Sequence, residues 1–159
     1  MKLMNNIQKN WKKWLTHNGQ WFLMPIYLWN IIFAQKLTSV GYMAKPVDLG
    51  VLGIIENIFR IGIFAWPTFM LFNLKDENFK KYFTYYIIGT MIYFTSWLII
   101  IFMPQSTIAN TWFIKLAPAY TTIIYFYAIG KLGQNKYYKY LALIFVLIHT
   151  TGTLIKLSG

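Results

Sequence analysis

Four ionisable side chains stand inside apolar stretches of this chain: Glu56, Arg60, Lys115 and His149. A charged group near the middle of a bilayer costs about 2.5–3.5 kcal/mol on insertion scales, so three left facing hydrocarbon would cost on the order of 9 kcal/mol. Such groups pair with one another or line a wet cavity. Glu56 and Arg60 are four residues apart, which puts them on one helix face in the favourable order for an ion pair. That pair alone would permit insertion, but it does not account for Lys115.

Depth arithmetic extends the pattern. Glu56 lies roughly four residues from the centre of its apolar stretch near Arg60, and Lys115 roughly four from a centre near Ala119, about 6 Å in each case. With both stretches running outside to inside, the two share one level. Asn30, Asn57, Tyr93, Ser96 and His149 fall near it, so five stretches place polar groups in one layer of the outer half of the membrane. Arg60 and Lys115 against Glu56 leave a formal charge of +1 with His149 neutral, which favours an anion. The sequence therefore predicts an aromatic-lined pocket that opens outward and takes a small anionic or amphipathic ligand, with Arg60 and Lys115 as counter-charges. Its candidate ligand-binding residues are Asn30, Glu56, Asn57, Arg60, Tyr93, Ser96, Lys115 and His149. Pro67 and Pro118 lie near the layer and would free backbone carbonyls, and Gly50, Gly53, Gly62, Gly89 and Gly152 allow close helix approach.

Other chemistries fit less well. A metal site needs three or four ligands, and Glu56 with His149 supplies two, so neither metal nor cofactor is expected. Ser96 and His149 could form a dyad, but Thr95-Ser96-Trp97 lacks the glycines of a nucleophile turn. An aspartyl mechanism needs two acids, and no Asp falls within an apolar stretch. Glu56 with His149 as a general acid–base pair acting on a lipid-soluble substrate remains open. With no cysteine in the chain, disulfides, thiolate sites and palmitoylation are excluded. No N-x-S/T sequon is present.

The elements that must hold these residues are helices. Five apolar stretches cover about 21–37, 49–72, 82–103, 108–130 and 138–157. A spanning helix needs roughly 20 residues, which four of the five supply. The first is shorter and carries Pro25, Asn30 and Gln35. A β-barrel is excluded because the stretches are apolar on both parities. The loops between them are short and polar, and Asp76 is placed to cap the third helix. Ahead of them, residues 1–19 form a basic amphipathic helix suited to the headgroup plane, with Trp11 and Trp14 as anchors and Lys9, Lys12 and Lys13 beside them. No A-x-A-like site marks it as a cleaved signal. The domain organisation is thus 1–19 interfacial and 20–159 membrane-embedded.

Composition agrees with this architecture. Of 159 residues, 57% are hydrophobic and 20% aromatic, and only 12% are charged, about half of the roughly 25% of a soluble domain. Mean hydropathy is +0.45. The formal charge is +11, which in a membrane protein reads as lysines facing cytoplasm and anionic lipid, not nucleic acid. A cytoplasmic N-terminus would gather Lys2, Lys9, Lys12, Lys13, Lys75, Lys80, Lys81, Lys131, Lys136 and Lys139 inside, and leave Lys36, Lys45 and Lys156 outside. The fold class is therefore all-α, a polytopic transmembrane bundle of five spans in the cell membrane, N-terminus in and C-terminus out. The function read from it is binding or translocation of a small anionic or amphipathic ligand. An accessory or immunity-type subunit of a larger complex is the alternative, and a lipid-modifying enzyme using Glu56 and His149 is a second. The bilayer is the certain partner, and a homo-oligomer or partner subunit fits the small size.

Overall fold

A computed structural model describes Trp11, residues 14–39 and residues 48–158, the side chains of residues 37–39 excepted. Residues 1–10, 12 and 13 of the expected amphipathic stretch 1–19, with its lysines, and the connection 40–47, with Gly41, Lys45 and Pro46, lie outside the described residues. The described residues are 80% helical, with no strand among them. A 3₁₀ turn, Gly19–Phe22, leads into α1, Met24–Ser39. α2 is Val51–Ala65, continued by a 3₁₀ turn Trp66–Phe69, and α3 is Phe79–Phe102. α4, Trp112–Tyr120, and α5, Thr122–Leu132, form one line broken at Thr121, and α6 is Lys136–Ser158.

Four segments are long and apolar enough to cross a membrane: Val51–Phe69, Phe79–Phe102, Trp112–Leu132 and Lys136–Ser158. They refine the expected limits by one to four residues. The largest shift is in the fourth, whose helix starts at Trp112 instead of 108. There Thr111 is the N-cap, its Oγ1 accepting from the Ile114 N–H. α1 has 16 residues and rises about 24 Å, short of a core about 30 Å thick. Asp76 does not cap α3 as expected. Its Oδ1 takes the Asn78 N–H at 2.8 Å, two residues too early, and Asn78 holds the cap position without a side-chain bond.

The broken span is the centre of the bundle. Of the most apolar 18 residues within Trp112–Leu132, 56% are buried inside the protein, against 17% within Val51–Phe69. α3 packs on one side of it and α6 on the other, and α2 lies along α6. Gly89 sets the α3–α5 contact, since a Cβ there would stand 2.8 Å from the Tyr125 backbone nitrogen. Phe126, fully buried on α5, meets Phe64 of α2 and Phe145 of α6 edge-on at 5.8 and 5.9 Å.

One end of the bundle is tied by main-chain pairing. Gly19 N–H donates to Met70 O and Phe72 N–H to His17 O, both at 3.0 Å. This brings residues 17–19 beside 70–72, and Gln134 reaches Asp76 at 2.7 Å across the same end. Pro67 explains the polar side chains gathered there. Proline has no N–H for the carbonyl four residues back, and Tyr138, buried on α6, donates its hydroxyl to that Ile63 carbonyl at 3.2 Å. Gln20 donates to the Phe64 carbonyl and the Thr68 hydroxyl, each at 2.7 Å. Asn18 and Trp14 donate to Thr68 O at 2.7 and 3.0 Å. The carbonyls at the proline break are thus satisfied by the protein and do not line a cavity.

Candidate functional site

The sequence-predicted site residues fall in three places. The first is the seam between α2 and α6. Glu56 projects from α2 into it with only 3% of its side chain exposed. One carboxylate oxygen, Oε1, accepts from Arg60 one turn along and from His149 Nδ1 of α6 at 2.9 Å. An ionised carboxylate only accepts, so Nδ1 carries the hydrogen in this bond. The imidazole lies flat on Phe145, ring centroids 5.3 Å apart and planes 7° from parallel. The seam closes this tightly because α6 has glycine at 152, where a Cβ would sit 2.9 Å from Glu56 Oε2.

Arg60 is the unusual member. It is the middle residue of Val51–Phe69, yet 43% of its side chain is exposed. Its second nitrogen lies 3.4 Å from Asn57 Oδ1, and Asn57 is exposed as well. Around them α2 turns Ile54, Ile58 and Ile61 outward. A guanidinium and an amide therefore stand on an otherwise apolar, outward-facing surface, while the acid that balances them is buried.

The second place is the α1–α3 contact. Tyr93 donates its hydroxyl to Asn30 Oδ1 at 3.3 Å, and Ser96 donates to the Tyr93 carbonyl at 2.7 Å. With Ser96 bonded there and His149 bonded to Glu56, the two form no dyad. Lys115 is the third. It sits half-buried on α4, and the limits of its span, Trp112–Leu132, put it about 10 Å from the middle. That is nearer the interface than the shared level expected, and the bonds of Glu56 run to Arg60 and His149, not to it.

The polar layer is therefore divided between two helix seams instead of meeting in one chamber. Aromatic packing accounts for the division, since Tyr125 and Phe126, both fully buried, fill the space between α3 and α6. A cavity among the described residues lies elsewhere, a groove of about 430 Å³ between the Gly19–Phe22 turn and α3. Sequence reasoning missed this groove and the clasp of Asn18, Gln20 and Tyr138 at the proline break. Gly152, expected to allow close helix approach, does so here against Glu56.

Chemically, the seam offers a neutralised carboxylate, a histidine whose tautomer it fixes, and an outward cation with an amide beside it. No known protein family, curated protein or solved structure matches the chain.

Proposed function

We propose that this is a multi-pass membrane protein that binds an anionic amphipathic molecule at the α2–α6 seam, reached sideways from the bilayer. Its five spans, counting α1, run with the N-terminus cytoplasmic and the C-terminus outside the cell membrane. The observation that supports the reading is Arg60, a half-exposed guanidinium at the middle of an apolar span. Its buried partner, Glu56, is shared with His149. An outward cation at that depth is costly in hydrocarbon, and an anionic group on it relieves the cost. Asn57 supplies a neutral hydrogen bond beside it. The test is binding of oleate, with oleyl alcohol as the uncharged control, followed by tryptophan fluorescence of the purified protein in nanodiscs. Oleate should bind saturably and at least tenfold more tightly than the alcohol, and Arg60→Gln should remove the difference. Equal binding by the variant would overturn the reading.

A second reading rests on the same surface. α2 is the least buried of the four long spans, and a partner helix with an acidic residue could cover Asn57 and Arg60, as in an accessory subunit. Under that reading the purified chain is insensitive to oleate, and Arg60→Gln stabilises it alone.

A further inference from the structure

On the opposite flank, the groove beside α3 has the dimensions of one lipid chain. Its α3 wall is a stripe from Phe83 through Ile87 and Met91 to Phe94, and Trp21 and Pro25 form the facing edge. The stripe follows helical spacing and climbs about 16 Å, the depth of one leaflet, about 15 Å. The far end is closed where Trp29 of α1 stacks on Phe94 at 4.3 Å. On α1, Leu28, Ile31 and Ile32 are exposed as well. Its lining is almost wholly apolar, and its volume of about 430 Å³ falls within the range of ligand cavities, roughly 300–1,000 Å³.

The open end faces a cation. Lys80 lies one turn before Phe83 on the same face of α3, is exposed, and enters no ion pair among the described residues. α3, with 24 residues, rises about 36 Å and so overshoots a 30 Å core, which puts Lys80 at headgroup level. Trp21, an interfacial residue type, stands at the same end with its indole N–H on Leu15 O.

We propose that this groove is a binding site for one acyl chain of an anionic bilayer phospholipid, its phosphate on Lys80. The site is separate from the α2–α6 seam and does not depend on what binds there. The experiment is native mass spectrometry of the protein released from nanodiscs of equal phosphatidylglycerol and phosphatidylcholine. The unmodified chain should retain one phospholipid, with phosphatidylglycerol preferred about fivefold, the worth of one lysine near the surface. Ile87→Trp and Met91→Trp, each filling the groove from an exposed position, should lose it. Ile88→Trp, one position around the helix, should keep it and so control for folding. Lys80→Gln should keep a lipid without the preference, and Arg60→Gln should change neither, which separates this site from the seam. Undiminished lipid in both groove-filling variants would overturn the proposal. So would a dimer that those variants dissociate, which would give the groove to a second copy of the chain.

Discussion

Glu56 is the residue on which the α2–α6 seam turns, because it alone touches both helices with a charge. Replacing it with alanine leaves Arg60 and His149 without their shared acceptor. Breaking a buried pair by removing one partner costs about 3 kcal/mol, so Glu56→Ala should lose about that much in equilibrium unfolding in mixed micelles. Arg60→Gln should cost clearly less, because the carboxylate keeps His149 at 2.9 Å and Arg60 is half exposed. The reverse order of the two losses would show that the guanidinium, not the acid, organises the seam. Tyr138 gives a second residue-scale test. Its hydroxyl serves the Ile63 carbonyl that Pro67 leaves without a donor, so Tyr138→Phe removes one hydrogen bond and strands a buried acceptor. The expected loss is about 1–2 kcal/mol in the same unfolding measurement, and none at all would mean that the carbonyl finds another donor. The pairing of Glu56 with Arg60 was legible in the sequence because a spacing of four fixes it locally. The pairing of Glu56 with His149 was legible only as a shared depth, since nothing in the spacing says which helices become neighbours.

At the scale of elements, close approach decides which helices meet. Gly152 lets α6 close on Glu56, and Gly89 lets α3 close on α5. A Cβ at 89 would meet a backbone nitrogen at 2.8 Å and the Ile124 side chain at 2.9 Å, neither of which can turn aside. Gly89→Ala should therefore cost about 1–3 kcal/mol by overpacking, and Gly152→Ala a comparable amount with displacement of the Glu56 carboxylate. Gly62 is the contrast, since its nearest neighbour would be Leu141 at 3.5 Å, ordinary contact. There alanine should be neutral or slightly stabilising, because glycine is about 1 kcal/mol worse than alanine within a helix. Thermal stability of the three variants in one detergent tests the ranking, and equal losses would remove the packing argument. The existence of these helices was readable from hydropathy, because hydrocarbon demands long uninterrupted apolar runs. Their breaks were readable at Pro67 and Pro118. What fills the breaks was not: the carbonyls expected to line a cavity are taken by Gln20 and Tyr138, contacts made across 44 and 75 residues of chain. The expected single chamber failed for a similar reason. Equal depth places residues on a circle around the bundle, and bulky Tyr125 and Phe126 at its centre keep the two sides of that circle apart.

At the scale of the whole molecule, the fold makes a statement about sidedness that the lysine count alone could not. Pairing of residues 17–19 with 70–72 and the Gln134–Asp76 bond fix the N-terminal stretch, the α2–α3 loop and the α5–α6 loop to one end. That end carries Lys75, Lys80, Lys81, Lys131, Lys136 and Lys139, while Lys36, Lys115 and Lys156 lie toward the other. In the orientation proposed above, following the positive-inside rule, the whole lysine-rich end faces the cytoplasm. Because the chain has no cysteine, single exposed cysteines report sidedness without background. In intact cells a membrane-impermeant maleimide should label Gln105→Cys and Ser158→Cys but not Thr16→Cys or Glu77→Cys, and permeabilised cells should label all four. The reversed pattern would refute the orientation while leaving the fold intact. Labelling of Thr16→Cys together with Gln105→Cys, with Glu77→Cys still hidden, would be a deeper failure. It would separate residues that the main-chain pairing holds at one end, and with them the proposed crossing of the membrane by α1.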